Sequence, residues 1–301
     1  MDRTSIYDTV TAKIIRDLEG GILPWTKPWK SGVGKAGFSF PANATTGNTY
    51  SGINVLLLWL HGSEQGFPTQ RWLTFPQAIE AGGHVRKGEK GTQIVRAGTY
   101  TPKGEKVRAA EEGRDASVVP FLKAYTVFNV AQCDGLDEAI TGIEAPDIDP
   151  DRDLPRVEAA DRTIAATGVR FINHPDKAFY RPADDVIAIP LMAAYTDPIN
   201  WYRTAFHELS HASGAKHRLN REFDRFGTEK YAREELVAEI AAAYLCAAHN
   251  IVPTVRHADY IGNWLEVLRN DSKAIFQAAS LATKASDWIL DRAAKPEALA
   301  A

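Results

Sequence analysis

Cysteine and long apolar runs are scarce in this sequence, and each shortage excludes a class of protein. Only Cys133 and Cys246 occur among 301 residues, which excludes a disulfide framework and a cysteine-rich zinc ribbon. The longest apolar run, INVLLLWL at 53–60, is too short to cross a bilayer. The polar, charged start MDRTSIYDTV does not resemble a signal peptide. We therefore expect a globular protein of the cytoplasm that does not contact membranes.

Charge is unevenly distributed, although the net charge is only −3. Residues 1–130 contain 16 lysines and arginines against 11 acidic residues, whereas residues 131–301 contain 19 against 27. Between the halves, CDGLDEAITGIEAPDIDPDRDLP is acidic and proline-containing, which is typical of an exposed linker. We predict one domain over 1–132, a linker over 133–154 and a second domain over 155–301. A long surface loop within a single domain is the alternative.

The periodicity of the second domain predicts an α+β fold that becomes mostly helical. A helical pattern at 156–168 precedes three short β-rich segments, VRFINH, AFYRP and DVIAIP. Three helical segments follow, and the last is expected to break near Asn270. We predict an α+β fold with two domains, of which the second is mostly helical and contains a small sheet.

The segment FHELSH carries the strongest chemical signal. His207 and His211 are one helical turn apart, so both imidazoles can reach one metal ion. Glu208 lies beside them and is placed to take a proton from a water molecule. This HExxH arrangement is typical of zinc metallopeptidases, and two helix histidines with ordinary hydrogen bonds are the alternative.

The third metal ligand has two candidates. His217 completes HELSHASGAKH, which matches the metzincin pattern HExxHxxGxxH, but both methionines of the chain lie upstream, so the methionine turn of that class is missing. In the helix predicted at 230–248, Glu235 and Glu239 are one turn apart, so one can bind the metal while the other orients an imidazole, as in gluzincins. We favour Glu235 and expect Glu234 to point away. An acidic pair on a solvated surface is the remaining alternative.

The expected chemistry is hydrolysis of a peptide bond. Zinc lowers the pKa of a water molecule towards about 7, and Glu208 removes the proton. Tyr231 and His217 are candidate donors to the oxyanion. We expect Zn²⁺, with another divalent transition metal as the alternative.

The basic half alternates aromatic and cationic residues in ILPWTKPWKSGVGK, a proline- and glycine-rich segment. Bases stack on aromatic rings and ammonium groups follow phosphates, so this composition favours binding of single strands. The segments NTYSGIN, QRWLTF and HVRKGEKGTQIV add further polar and cationic groups. We predict that Trp59 is a core residue. Trp72 is predicted to contact DNA, and a place in the core is its alternative. The predicted DNA contacts are Trp25, Lys27, Trp29, Lys30, Lys35, Asn43, Tyr50, Asn54, Arg71, Trp72, Arg86, Lys87 and Lys90.

Several segments together resemble the ArdC antirestriction proteins of conjugative plasmids. They are YDTVTAKIIRDLEGGILPWTKPW, TGNTYSGINVLLLW, WLTFPQAIEAGGHVRKGEKGTQIV, FHELSH and YAREELVAEIAAAYL. The resemblance implies an N-terminal domain that binds single-stranded DNA and a C-terminal zincin domain similar to the Spartan and SprT proteases. By position, it implies that His207 and His211 bind metal, that Glu208 is the general base and that Glu235 is the helix glutamate. His217 is a departure that need not be a ligand.

The resemblance also implies a role, which is protection of incoming plasmid DNA from host restriction. Delivery to a recipient cell during conjugation would fit that role. Two mechanisms stay open. The protein could mask DNA while its metal site is structural or inactive, or it could be a DNA-dependent protease acting on a restriction enzyme or another DNA-bound protein.

Overall fold

The computed structural model describes residues 5–23, 39–142, 157–222, 224, 227–252 and 261–294. In the N-terminal region, four strands form one sheet of order β1-β2-β5-β4. A separate two-stranded sheet pairs β3 with β6. The elements of this region are α1 (Ile6–Glu19), β1 (Ala42–Asn43), α2 (Ile53–Gln65), β2 (Arg71–Leu73), α3 (Phe75–Glu80), β3 (His84–Val85), β4 (Thr92–Tyr100), α4 (Glu105–Glu111), β5 (Val119–Asn129), β6 (Cys133–Asp134) and α5 (Glu138–Thr141).

The longest strands of the N-terminal region, β4 and β5, form an antiparallel hairpin. Their register is continuous from Thr92 opposite Val127 to Tyr100 opposite Val119. At about 3.4 Å per residue, nine residues of β4 extend roughly 30 Å. The base of the hairpin is fixed by the core, because Val127 packs with Leu58 and Trp72.

The beginning of the predicted linker is folded, which corrects the boundary at residue 133. β6 pairs antiparallel with β3, and Asp137 caps α5 by accepting a hydrogen bond from a backbone N–H at 2.8 Å. Leu136 and Ile140 pack against the small core cluster that contains Leu73. Residues 133–142 therefore belong to the N-terminal region. The remainder of the predicted linker lies outside the described residues.

The C-terminal region combines a three-stranded sheet with packed helices. The sheet has the order β7-β9-β8, with β7 parallel and β8 antiparallel to β9. The predicted break near Asn270 is confirmed, because one helix ends there and the next begins at Ala274. The elements are α6 (Glu158–Ala166), β7 (Arg170–Asn173), β8 (Phe179–Arg181), β9 (Val186–Ile189), α7 (Asn200–Ser213), α8 (Glu229–Ala248), α9 (Ile261–Asn270) and α10 (Ala274–Ala294).

Both regions share one hydrophobic core built around α8. This helix is buried on nearly all sides from Ala232 to Ala247, which is the pattern of a central helix rather than of an amphipathic surface helix. The Tyr244 hydroxyl donates to the Gly52 carbonyl at 2.9 Å, and its ring packs against Trp59. Trp59 is 4% exposed, so its predicted place in the core is confirmed. Among the described residues, no helix is both long enough and apolar enough to span a membrane.

Candidate metal centre

Helices α7 and α8 pack against each other and hold the candidate metal ligands at their interface. Three buried side chains of α7, Tyr202, Phe206 and Leu209, anchor it in the shared core. Thr228 caps α8 by accepting a hydrogen bond from the Tyr231 N–H at 3.1 Å. Because both helices are fixed along their length, the side chains between them have little freedom to rearrange.

His207, His211 and Glu235 converge at this interface. One ligand atom from each lies within 4.8 Å of the others. The Nε2 atoms of the two histidines are 3.2 Å apart, and the Glu235 carboxylate oxygens lie 3.5 Å from His207 Nε2 and 3.4 Å from His211 Nε2. Two imidazole nitrogens and a carboxylate oxygen are a donor set typical of a catalytic zinc site.

His217, the rival third ligand, lies elsewhere. Its side chain is 63% exposed, and its Nε2 atom is 3.5 Å from Asp185. It does not belong to the metal-binding group found among the described residues. The geometry therefore favours Glu235 as the ligand, and that assignment stays a prediction.

A carboxylate faces the second ring nitrogen of each histidine. His207 Nδ1 is 3.4 Å from a Glu239 oxygen, and Glu239 forms a buried ion pair with Arg203. On the other histidine, His211 Nδ1 is 3.2 Å from a Glu234 oxygen. The hydrogen bond with Glu234 fixes the tautomer of His211 and leaves its Nε2 free to bind a metal, whereas His207 Nδ1 is buried and has no hydrogen-bond partner among the described residues.

Glu234 does not point away from the site, so that expectation is wrong. Its side chain is 7% exposed and lies 2.8 Å from Arg221. Because α8 is enclosed on nearly all sides, residues on several of its faces meet neighbouring elements, and the loop after α7 places Arg221 behind Glu234. A carboxylate paired with an arginine thus lies behind each histidine, Glu239 with Arg203 behind His207 and Glu234 with Arg221 behind His211.

The buried charges of this site fit a divalent cation. Four carboxylates carry −4 and two guanidinium groups carry +2, which leaves −2 when the histidines are neutral. A buried charge without compensation is costly, so a cation of charge +2 would complete the balance. The six groups are Glu208, Glu234, Glu235, Glu239, Arg203 and Arg221.

The pKa shifts show the same excess of negative charge. Burial alone would lower the pKa of His211, but its hydrogen bonds with Glu234 and Glu235 outweigh burial and raise the pKa to about 10. Burial alone would raise the pKa of Glu235, yet hydrogen bonds from His207 and His211 hold it well below its usual range. The site therefore attracts positive charge, which a metal ion can supply in place of a proton.

The metal centre opens into a cavity of about 450 Å³. Glu208 lines it, is 6% exposed and has no hydrogen-bond partner within the part of the chain that the structure describes. Tyr231 also lines the cavity, whereas His217 is not among the lining residues. Of the two candidate oxyanion donors, only Tyr231 therefore has access to the space beside the metal ligands.

Relatives of known structure bear on this geometry. The crystal structure of the antirestriction ArdC protein from plasmid R388 in its metal-free form superimposes with a TM-score of 0.80 and is 37% identical, covering 97% of this chain and 99% of that one. The Mn(II)-bound structure of the same protein gives a TM-score of 0.78 at 36% identity. Residues 4–128 match the family model for the N-terminal domain of the anti-restriction factor ArdC.

The chain belongs to the ArdC family. Residues 158–281 match a second model, described as a zincin-like metallopeptidase, so the predicted family and two-domain α+β fold are confirmed. Among sequence relatives, the uncharacterized protein y4eC of Sinorhizobium fredii (strain NBRC 101917 / NGR234) is 37% identical over 95% of this chain and 92% of its own length. The DNA primase TraC of Escherichia coli is also 37% identical over 94% of this chain, which spans only 27% of TraC.

Membership of the ArdC family implies an interaction with DNA, so the placement of the predicted DNA contacts matters. The prediction for Trp72 is wrong, because the indole is completely buried and offers no face to a base. The Asn54 amide is occupied at both ends, since it donates to the Val95 carbonyl and accepts from the Val95 N–H, each at 2.8 Å. Asn43 accepts hydrogen bonds from the backbone N–H groups of Thr45 and Thr46 and therefore shapes a turn.

The other predicted contacts differ in accessibility. Arg71 donates to two backbone carbonyls, and Arg86 pairs with Glu89 and Asp134. Tyr50 is partly buried against the core. Exposed cations remain at Lys87 and Lys90. The Trp/Lys segment, comprising Trp25, Lys27, Trp29, Lys30 and Lys35, lies outside the described residues.

Replacing Glu234 with glutamine should weaken metal binding by about 10- to 100-fold, since groups that orient metal ligands contribute on this scale. The substitution keeps the shape of the side chain but removes the charge that faces His211 and Arg221. Competition with a chromophoric zinc chelator would measure the affinity. Glu229→Gln on the same helix is the matched control, because Glu229 is exposed and pairs with Arg233. Equal affinity of both variants would show that Glu234 does not orient His211.

Proposed function

We propose that this ArdC-family protein binds single-stranded DNA through its N-terminal region and hydrolyses peptide bonds at a zinc site, protecting incoming plasmid DNA from restriction. The observation that carries the peptidase part is the convergence of His207, His211 and Glu235 beside the buried carboxylate of Glu208. A Mn(II)-bound relative supports the metal site in general. Zinc is proposed because two imidazoles and a carboxylate leave one tetrahedral position open.

A peptide substrate is supported by the wall of the cavity. Phe179 and Tyr180 of β8 line it together with the metal ligands. In the described part of the chain, β8 is an edge strand that pairs only with β9. Its outer edge therefore presents backbone donors and acceptors, and an extended peptide can pair with such an edge.

The residues around the cavity have distinct tasks in hydrolysis. A divalent metal ion held by His207, His211 and Glu235 would supply Lewis-acid activation of water and of the scissile carbonyl. Glu208 accepts the proton of the attacking water at its carboxylate and then delivers it to the leaving amine. Tyr231, which lines the same cavity, would donate its hydroxyl to the developing oxyanion.

The test is protection of DNA from a restriction nuclease by wild type and by Glu208→Ala, at equal concentration and equal zinc content. Removal of a general base costs about 10²- to 10⁴-fold in rate, whereas the metal ligands stay intact. If proteolysis drives protection, the variant should lose it, and the nuclease or a DNA-bound partner becomes the candidate substrate.

Equal protection by Glu208→Ala would instead favour DNA masking. In that case the N-terminal region protects by occupying DNA, and protection should fade steeply as salt rises, because phosphate contacts release counterions. Repeating the assay at several salt concentrations therefore shows whether protection by Glu208→Ala falls steeply with salt, as DNA masking predicts.

A further inference from the structure

One face of the β4–β5 hairpin combines exposed cations with aromatic rings. Side chains at alternate strand positions share a face, and residues directly opposite across an antiparallel pair share it too. Arg96 lies opposite Lys123, Ile94 opposite Tyr125 and Tyr100 opposite Val119. We call this the hairpin face, which consists of Ile94, Arg96, Gly98, Tyr100, Val119, Phe121, Lys123 and Tyr125.

The pairing of the two cations is unfavourable for the hairpin itself. Arg96 and Lys123 are directly opposite, both exposed, and like charges in this position destabilise a strand pair. No acidic residue occupies the hairpin face, and neither cation has an ion pair with another described residue. A chain optimised only for folding would place a carboxylate at one of the two positions. An anionic ligand would relieve the repulsion.

Three aromatic rings share the hairpin face, and those of Tyr100 and Phe121 are inclined to each other by 50°. A Cβ atom at Gly98 would come within 2.8 Å of the Phe121 ring, so the ring lies across the glycine and close to the backbone. Lys123 Nζ lies 5.3 Å from the centre of the Tyr125 ring. Tyr100 is 53% exposed and packs beside Phe121. Tyr100 is therefore exposed at the tip end and Phe121 and Tyr125 are half-buried, while the base of the face is covered by Leu58 and Trp72.

We propose that the hairpin face is a binding surface for single-stranded DNA, with Arg96 and Lys123 contacting phosphates and Tyr125 and Tyr100 stacking on bases. This inference rests on the proposed single-strand binding and locates it on residues that alternate in FLKAY and in IVRAGTY. An extended array of cations and rings suits a strand whose bases are unpaired, because stacking tolerates any base. A protein partner would have to supply carboxylates for the two cations or apolar side chains for the rings. A single strand of DNA supplies phosphates and bases at every nucleotide, so it fits the face better.

The experiment uses the full-length protein and a fluorescein-labelled dT20 oligonucleotide, with affinity measured by anisotropy at several salt concentrations. The double variant Arg96→Glu/Lys123→Glu should bind at least 10-fold more weakly, with a salt slope reduced by about 2. Arg162→Glu/Lys284→Glu is the charge-matched control, because both residues are exposed on the C-terminal helices α6 and α10. Its affinity should change little.

A second variant tests stacking without changing charge. Tyr125→Ala should weaken dT20 binding about 10-fold but leave binding of an abasic 20-mer almost unchanged. Circular dichroism confirms folding, and Arg96→Gln/Lys123→Gln replaces the reversal if that variant unfolds. Failure of wild type to bind dT20 would overturn the proposed single-strand binding. Normal wild-type binding with equal affinities of the hairpin and control variants would overturn only the role of the hairpin face.

Discussion

Replacing Glu235 with alanine should reduce zinc affinity by more than about 100-fold, because a ligand contributes more than the groups that orient it. Its two oxygens lie 3.4 and 3.5 Å from the histidine nitrogens, and within the described residues it completes the metal-binding group with His207 and His211, so its removal leaves that group with two ligands. The measurement is zinc affinity by chelator competition, together with metal content after dialysis.

His217→Ala is the matched comparison, since it removes the rival ligand. The side chain is largely exposed and faces Asp185 rather than the cavity, so we expect unchanged zinc affinity. Glu235→Gln separates charge from shape, because the amide keeps one oxygen but no negative charge. Loss of zinc in His217→Ala together with retention in Glu235→Ala would establish a three-histidine site and would require the segment after α7 to fold back onto the metal.

The local parts of this site could be predicted from the sequence, and the tertiary parts could not. The four-residue spacing of His207 and His211 fixes their common face on any helix. The spacing of Glu235 and Glu239 does the same for α8. Glu234 is different, because a helix buried on nearly all sides has no polar face from which its orientation could be read. Arg203 and Arg221 carried no local signal, because their ion pairs with Glu239 and Glu234 form only when α7 and the loop after it pack against α8.

The errors in the N-terminal region have a physical reason as well. Trp72 was predicted to contact DNA as part of QRWLTF, yet its indole is completely buried and packs with Leu58 and Val127. The acidic composition of 133–142 concealed Leu136 and Ile140, whose apolar side chains complete a small core. The alternation of Phe121, Lys123 and Tyr125 in FLKAY indicates that these side chains share one face of a strand. That Arg96 lies on the same face follows only from the pairing of this strand with β4, which the sequence does not show.

Replacing Arg203 with methionine should destabilise the protein by about 3–5 kcal/mol, the cost of leaving a buried carboxylate without its partner. Arg203 is 4% and Glu239 is 2% exposed, and their ion pair joins α7 to α8. The measurement is urea-induced unfolding of the metal-free protein, so that lost metal binding does not contribute to the change.

Arg233→Met provides the control, because Arg233 also pairs with two carboxylates but its side chain is 30% exposed. Exposed pairs contribute about 0–1 kcal/mol, so this variant should remain close to wild type. The double variant Arg203→Met/Glu239→Leu should recover most of the lost stability, since it removes the unpaired charge. It should still bind zinc more weakly than wild type, because His207 then lacks the carboxylate facing its Nδ1 atom. Equal stability of Arg203→Met and Arg233→Met would mean that Glu239 obtains its compensation from His207 instead. Recovery of stability without recovery of metal affinity would show that this buried pair is retained for orientation of the histidine rather than for folding.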